Sequence, residues 1–351
     1  MKITIRKIAE IAGVSRGTVD KVVHKREGVS DEVRAHVQSI IDKYDYAPNH
    51  PEKAAVPSVP QKNYVIAVIM PALTNQFFVN IKKGMDNALK KIPGDRIRLE
   101  YFPYGGGNVS EILSILEYLR ERGVDGLAIR GVQNGRLCEQ LNLFNRRRIP
   151  VVLLDSDVSG AKRLCMVSED SYRSGRVAAT LLAKSIGESG DVDVIGSSPE
   201  IENNRLRIQG FSDAIREKYE DITIINNVNS LDQSVIAYEQ TALLVERYPK
   251  LAGIFNAVGC AGDIGRALID WKGTKIKLVS YNFTPDVISL IKHGIVDFAI
   301  GLSPEHQGTL VIELLSDYLL YGKKPPDKVI QTPILIGMDE NIDILAEDGV
   351  V

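Results

Sequence analysis

The sequence is poor in cysteine and has no long apolar run, and both absences restrict the class of protein. Its 351 residues include three cysteines, Cys138, Cys165 and Cys260, which lie far apart and form no C-x-x-C pair. This pattern is typical of free thiols in a reducing compartment rather than of a disulfide framework. No apolar run approaches the length that spans a membrane. The opening Met1-Lys2 passes directly into a predicted helix, so we expect a cytoplasmic protein without a signal peptide or membrane segment.

The sequence also lacks the short motifs that mark common enzymes. The five histidines have no metal-ligand spacing, no G-x-G-x-x-G follows the first predicted strand, and no nucleophile elbow occurs. Gly105-Gly106-Gly107 precedes a predicted helix without the Lys-Ser/Thr of a phosphate loop, so we interpret it as an ordinary loop. We therefore expect a protein that is not an enzyme and has no metal site and no cofactor.

Residues 4–24 have the pattern of a helix-turn-helix. Apolar residues recur at helical spacing on both sides of Gly13-Val14-Ser15. Gly13 permits a left-handed turn, Ser15 can cap the second helix, and Ser30 is the predicted N-cap of a third. Three short helices of this kind are typical of a unit that places its second helix in the DNA major groove. A small helical bundle that packs on another domain is the alternative interpretation.

The charge of this segment favours readout by a few placed side chains. Residues 1–50 contain nine lysines and arginines against seven acidic residues, and the whole chain has a net charge of −2. Binding that depends mainly on phosphate attraction needs a more basic surface. The exposed side chains of the second predicted helix are therefore the candidates for base contacts.

The N-terminal segment resembles the DNA-binding headpiece of the LacI/GalR family of bacterial transcriptional regulators. The resemblance rests on A-E-I-A-G-V-S at 9–15, Thr18-Val19, Val22-Val23, Val29-Ser30 and Y-A-P-N at 46–49. It implies base contacts from the start of the second helix and one turn later, and a phosphate contact from its third residue. Asp20 and His24 depart from the family pattern, and Asp20 either accepts from a cytosine amine or, as we favour, orients Lys21. The implied DNA-binding residues are Arg16, Gly17, Thr18, Lys21 and His24, of which Gly17 has no side chain to read a base.

Residues 50–62 mark a break in composition between the headpiece and the rest of the chain. Pro51, Pro57 and Pro60 exclude a long helix. In the LacI family this region forms a short hinge helix on DNA, from which a leucine wedges into the minor groove. Here Ala55 or Val56 stands at the expected position of that leucine, so we expect less kinking of the DNA. A plain flexible linker is the alternative.

From Tyr64 onward, short apolar runs alternate with helical stretches in two successive series. Such alternation predicts parallel sheets covered by helices on both faces, and two series predict two doubly wound lobes. The predicted strands lie at 64–70, 97–103, 126–130 and 150–155, and then at 192–196, 222–226, 253–255 and 277–282. We expect a helix-turn-helix domain at 1–49, a hinge at 50–62 and a two-lobed body at 63–351. The expected N-lobe takes about 63–160 and 285–323, and the C-lobe about 161–284 and 324–351.

The body resembles the type I periplasmic-binding-protein fold, specifically its ribose-binding branch. The segments that carry the resemblance are 66–78, 151–157, 202–211, 279–286 and 303–308. It implies a ligand site in the cleft between the lobes, where amide, carboxylate and guanidinium groups bind hydroxyls and aromatic rings stack on a sugar. The implied ligand-binding residues are Asn75, Phe77, Phe78, Asp155, Arg205, Asn256 and Asn282, and Arg130 joins them if it points into the cleft.

Several of these assignments have a structural alternative. Phe78 can be ordinary core, Asp155 can cap the turn that follows it, and Arg205 can pair with Glu202 at the surface. Leu302, Ser156 and Pro71 stand where ribose-binding relatives carry polar groups. We therefore expect a pocket that is less polar than that of those relatives, or one for a ligand other than ribose. Arg130 in the cleft would suit an acidic or phosphorylated ligand, and on the rim it would not.

Together these features predict a sugar-responsive, DNA-binding transcriptional regulator of the repressor type. One headpiece contacts few bases, so we expect a homodimer on a pseudo-palindromic operator. The ligand would change operator binding by favouring one arrangement of the lobes. The alternative is a cytoplasmic ligand-binding or sensor protein whose headpiece is vestigial.

Overall fold

The computed structural model of the chain divides into two units, Met1–Lys62 and Asn63–Val351. It describes residues 4–23, 26–44, 62–105, 108–196, 201–229, 233–271 and 275–347. Among these residues no helix is both long and apolar enough to cross a lipid bilayer.

The first unit is a bundle of three short helices around a small apolar core. The helices are α1 (Ile5–Ala12), α2 (Arg16–Val23) and α3 (Asp31–Lys43). The predicted turn is confirmed, because Gly13 adopts a left-handed φ of 66° and Ser15 Oγ accepts from the Thr18 amide at 3.1 Å. The core side chains are Ile8, Ala9, Val19, Val22, Val37, Ile40 and Ile41.

The second unit has two six-stranded sheets, which we call the N-lobe and C-lobe sheets. The N-lobe strands are β1 (Tyr64–Pro71), β2 (Ile97–Tyr104), β3 (Gly126–Arg130), β4 (Val151–Leu154), β5 (Cys165–Glu169) and β11 (Val329–Thr332). The C-lobe strands are β6 (Gly190–Gly196), β7 (Ile222–Asn229), β8 (Leu251–Asn256), β9 (Lys277–Tyr281), β10 (Phe298–Gly301) and β12 (Leu335–Gly337). The N-lobe strands are all parallel, in the order β11-β5-β4-β3-β1-β2. The C-lobe strands have the order β12-β10-β9-β8-β6-β7, and only β12 is antiparallel.

Helices connect most successive strands and cover the sheets, as the alternation of the sequence predicts. The exceptions are β4 to β5, where a helix was expected after 150–155, and β11 to β12, which follow each other without a helix. The helices that pack on the N-lobe sheet or its neighbours are α4 (Gln76–Lys91), α5 (Val109–Arg122), α6 (Gly135–Arg146) and α12 (Pro304–Tyr321). Those of the C-lobe are α7 (Ser171–Ser185), α8 (Glu202–Lys218), α9 (Ser234–Arg247), α10 (Ala261–Asp270), α11 (Pro285–Lys292) and α13 (Ile342–Glu347).

The chain passes between the lobes at positions different from those predicted. It crosses after β5, after β10 and after β11. The strands at 165–169 and 329–332, expected in the C-lobe, belong to the N-lobe sheet; residues 285–301, expected in the N-lobe, form α11 and β10 of the C-lobe. Strands of four or five residues end at these crossovers, and their sequence gives no indication of which sheet they join, because that depends on pairing.

The two lobes use the same device to bring a pair of helices close together. A Cβ at Gly84 of α4 would overlap the Glu305 carbonyl oxygen of α12, and one at Gly308 of α12 would overlap the Ile81 carbonyl oxygen of α4. In the C-lobe, Gly175 of α7 and Gly210 of α8 face each other's backbones in the same way, at Arg207 and Tyr172. Each helix crossing therefore depends on glycine for space rather than for backbone freedom.

Gly84→Ala should destabilise the body by about 1–3 kcal/mol, because the obstacle is a helix backbone that cannot move aside like a flexible side chain. Urea unfolding of the full chain measures this. Gly135→Ala is the matched control, since Gly135 begins α6 with nothing within 4 Å of a Cβ. Equal midpoints for the two variants would contradict the packing argument.

Candidate functional site

The exposed face of α2 carries the side chains that the sequence assigned to DNA. Arg16, Gly17 and Lys21 are exposed, and Thr18 is half-buried with its hydroxyl 2.9 Å from that of Ser15. Val19 and Val22, on the opposite face of the helix, anchor it in the core. Arg16 and Lys21 are thereby presented to solvent by a helix whose orientation the core fixes. His24, Ala55 and Val56 lie outside the described residues.

Asp20 makes an ion pair within the first unit. Its Oδ2 lies 3.4 Å from Nη1 of Arg26, and Arg34 in turn donates to the Arg26 carbonyl at 2.7 Å. This contact attaches the end of α2 to the segment that leads to α3. The structure thus gives Asp20 a local partner, Arg26, that the sequence analysis did not consider.

In the second unit, the carboxyl ends of the parallel strands meet at the cleft between the lobes. Asp155 directly follows β4 of the N-lobe and Asn282 directly follows β9 of the C-lobe. Both have a left-handed backbone, with φ of 63° and 66°. This conformation is costly for residues other than glycine and is concentrated at functional sites. The two lobes therefore present a polar side chain at corresponding, strained positions.

The Asp155 carboxylate binds one group from each lobe. Its Oδ2 accepts from Nε of Arg130, at the end of β3, at 2.8 Å. Its Oδ1 accepts from Nδ2 of Asn203, on α8 of the C-lobe, at 2.9 Å. Because Asn203 and Asp155 belong to different lobes, this hydrogen bond crosses the cleft. Asp155 thus links the two lobes as well as being a candidate ligand-binding group.

An aromatic pair lies next to this carboxylate. The Arg130 guanidinium is 5.3 Å from the ring centroid of Phe78, and Phe78 packs edge-to-face on Phe77 at 5.2 Å. The Arg130 side chain is 13% exposed and lies against Asp155; burial lowers its pKa but the neighbouring Asp155 raises it, with a net rise. Arg130, Asp155, Phe77 and Phe78 therefore form one contiguous group.

Phe77 and Asn282 also line a small pocket beside the crossovers. Its remaining lining residues are Asn80, Phe283, Thr284, Gly301, Leu302 and Pro304. The Oδ1 atom of Asn282 is buried and has no hydrogen-bond partner among the residues that the structure describes. A buried acceptor without a partner is costly, so Asn282 is ready to accept from a ligand hydroxyl or a water molecule. Asn75 caps α4 by accepting from the Phe77 amide at 2.9 Å, which fixes the start of this helix at the cleft.

Two residues assigned to the ligand site have other surroundings. Asn256 is fully buried; its Nδ2 donates to the Val258 carbonyl and to Ser280 Oγ, and its Oδ1 accepts from the Val258 amide. It therefore holds the loop after β8. The Arg205 side chain is 49% exposed and pairs with Glu202 at 3.1 Å, which is the surface alternative considered for it.

The buried arginine of α8 is Arg207, which the sequence analysis did not single out. Its Nε donates to Oε1 of Glu169 at 2.6 Å, and its guanidinium lies 4.3 Å from the Tyr281 ring centroid. Asn203, Arg207, Gly210 and Phe211 recur at helical spacing on the buried face of α8. The Gly-Phe pair at 210–211 was the signal that could have placed Arg207, rather than Arg205, toward the interior.

The Glu169–Arg207 pair joins the lobes at the first crossover. Glu169 ends β5 of the N-lobe and Arg207 belongs to α8 of the C-lobe. Burial raises the pKa of Glu169, while the Arg207 guanidinium and the Ser171 hydroxyl, which donates at 3.0 Å, oppose that rise. Within the described part of the chain, Oε2 of Glu169 has no hydrogen-bond partner. The charge of Glu169 therefore depends mainly on Arg207.

Comparison with known proteins assigns both units. Residues 4–49 match the family of bacterial regulatory proteins of the lacI type, and residues 66–324, most of the chain, match the periplasmic binding protein domain. The chain is a LacI-family regulator with a periplasmic-binding-protein body. The family resemblance and fold class predicted from the sequence are confirmed.

Relatives of this LacI-family chain include both a transport binding protein and a repressor. The ribose import binding protein RbsB of Bacillus subtilis (strain 168) is 25% identical over 276 residues, which are 78% of this chain and 87% of the relative. The ribose operon repressor of the same organism is 24% identical over 286 residues, 80% of this chain and 82% of the relative. The crystal structure of an ABC transporter solute binding protein from Agrobacterium vitis with bound D-fucose superposes with a TM-score of 0.75 at 23% identity, covering 82% of this chain and 99% of that one. At this identity the superposition shows the shared fold.

Arg207→Met should cost about 3–5 kcal/mol of stability, because it leaves the Glu169 carboxylate buried without its cation. Glu169→Gln combined with Arg207→Met should recover part of that loss. A double-mutant cycle by urea unfolding measures both effects. Arg205→Met is the control, since its exposed ion pair should contribute less than about 1 kcal/mol. Equal losses for Arg205→Met and Arg207→Met would contradict the assignment.

Proposed function

We propose that this LacI-family chain is a cytoplasmic, homodimeric repressor that binds a pseudo-palindromic operator under the control of a small sugar-like ligand in the cleft. The observation that carries the proposal is the presence, in one chain, of an exposed recognition helix and a cleft built from a carboxylate, a guanidinium, amides and aromatic rings. Its relatives supply the precedent, since they include a ribose operon repressor and a ribose import binding protein. Regulation by ligand binding, rather than catalysis, is the activity these groups support.

In this proposal Arg16 and Lys21 read bases, and Thr18 contacts a phosphate. Arginine and lysine donate to the acceptor edge of guanine in the major groove. Two reading side chains specify too few base pairs for a unique site, so a second headpiece related by two-fold symmetry completes the operator. Asp20 keeps its contact with Arg26 and supports the helix rather than reading a base.

The ligand in this proposal replaces the contact between Asp155 and Asn203. A carboxylate with two oxygens accepts from adjacent hydroxyls of a sugar, and Asn282 and Arg130 supply a further acceptor and a further donor. Phe77 provides an apolar face for the ring carbons. Because Asp155 and Asn203 lie in different lobes, a ligand that takes over Asp155 changes what holds the lobes together. The resulting effect on operator binding can be no larger than the difference in ligand affinity between the two lobe arrangements.

Selection from a random pool of duplexes with the full chain should enrich a pseudo-palindromic sequence. Lys21→Ala should then lower discrimination at one position of each half-site by about 1–3 kcal/mol, since it removes a base contact. Lys43→Ala, at the exposed end of α3, is the control and should leave the sequence preference unchanged. If the wild-type chain enriches no sequence, the DNA-binding proposal fails.

Monosaccharides, sugar acids and sugar phosphates should include a compound that raises the melting temperature of the full chain and changes its affinity for the selected operator. Asp155→Ala should abolish both effects, because it removes the central acceptor. Asp157→Ala is the control: its carboxylate pairs with Arg163 at 2.6 Å in the same loop and should leave the ligand response intact. A ligand that stabilises the chain without altering operator affinity would refute the allosteric part.

A further inference from the structure

One edge of the N-lobe sheet is strongly basic although the chain as a whole is slightly acidic. This basic edge consists of the connections that lead into the amino-terminal ends of the N-lobe strands, each with the last two residues of its preceding helix where there is one. Of the helix-free connection between β4 and β5, which begins at the opposite edge, it includes only the last four residues. It contains twelve lysines and arginines against four acidic residues, and ten of these twelve are exposed. Its segments are residue 63 and the ranges 90–96, 121–125, 145–150, 161–164 and 320–328.

The corresponding edge of the C-lobe sheet has no such charge. Its described segments contain six basic and seven acidic residues, at 184–189, 217–221, 246–250, 269–271, 275–276 and 291–297. The two lobes share a fold, a strand order and even the paired glycines of their helix crossings. The fold therefore does not require the basic edge, and a partner of the N-lobe explains the difference better.

The densest part of the basic edge is a groove beside β4, β5 and β11. Arg148, Arg163, Lys324 and Lys328 line it together with Asp327. Arg163 is partly neutralised by Asp157 at 2.6 Å. Arg148, Lys324 and Lys328 are exposed, and the α6 helix places Arg146 and Arg147 immediately before Arg148. A groove with this excess of cations suits a ligand with several regularly spaced negative charges.

The path of the chain indicates which polyanion it is. The first unit ends at Lys62, and the body begins with Asn63 and β1, whose amino-terminal end lies at this same edge. From β1 to β11 the edge spans four strand spacings, about 19 Å. A DNA duplex carries one charge per about 1.7 Å of its axis, so an edge of this length can face several phosphates. The headpiece itself is only mildly basic, with nine cations against seven acidic residues over 1–50.

We propose that the basic edge of the N-lobe is a second DNA contact, which binds phosphates flanking the operator without reading their sequence. The inference rests on the proposed DNA-binding function. Contacts of lysine and arginine with phosphates raise affinity and its dependence on salt, whereas base preference stays with the recognition helix. The body thereby strengthens the hold of a headpiece that has little charge of its own.

The test compares two triple variants of the full chain. Arg148→Gln, Lys324→Gln and Lys328→Gln together remove three cations from the basic edge. The matched control carries Lys218→Gln, Arg247→Gln and Lys250→Gln, three exposed cations at the corresponding edge of the C-lobe. Melting temperatures of both variants establish that they are folded. Each is titrated, over a range of salt concentrations, against the selected operator alone and against the operator extended by mixed-sequence flanks.

On the flanked operator, the N-lobe variant should bind more weakly than wild type, with the slope of log K against log salt reduced by up to about 3. Its affinity for the operator alone should equal that of wild type. The ratio of its affinities for the operator and for a scrambled site should also be unchanged. The C-lobe variant should match wild type throughout. Unchanged slopes and affinities on flanked DNA would overturn the inference, as would an equal loss in both variants. Failure of the proposed function would look different, because no operator would be selected at all. In that case the salt dependence of binding by the two variants is measured on a mixed-sequence duplex as long as the flanked operator.

Discussion

The body of this regulator depends on a small number of buried polar contacts that join two otherwise independent lobes. Each lobe has its own sheet, and three crossings of the chain connect them. At the first crossing, Glu169 of the N-lobe binds Arg207 of the C-lobe, away from solvent. A buried pair of this kind strongly penalises any arrangement that separates its members, because each charge would lose its partner in a medium of low dielectric constant. The pair therefore opposes any motion that separates the end of β5 from α8.

The contact between Asp155 and Asn203 is of a different kind. It also crosses between the lobes, yet it lies in the cleft, and a ligand hydroxyl could take the place of the asparagine amide. The Asn203 side chain and a bound ligand would then compete for the same acceptor, the Asp155 carboxylate. This competition gives the proposed regulator a physical route from ligand chemistry to lobe arrangement.

Charge is distributed between the lobes in a way that their shared architecture does not explain. Corresponding edges of two similar sheets differ by nine elementary charges, and the basic edge is the one that receives the chain from the headpiece. Electrostatic attraction to phosphates needs no specific geometry, so exposed loops can supply it without disturbing the sheet behind them. Sequence readout and attraction to DNA can thus reside in separate parts of one chain.

The sequence by itself determined the local structure and the families. The left-handed turn at Gly13 and the cap at Ser15 follow from backbone chemistry within a few residues, and the alternation of apolar runs and helices established two doubly wound lobes. What only the tertiary structure decided were the contacts between residues far apart in the chain. Short strands such as β5 and β11 joined the N-lobe because of pairing partners that periodicity cannot identify. In the same way Arg207, rather than Arg205, turned inward, and Asp155 found Asn203 across the cleft, because the direction of a side chain on a helix acquires meaning only once the helix has a sheet and a second lobe beside it.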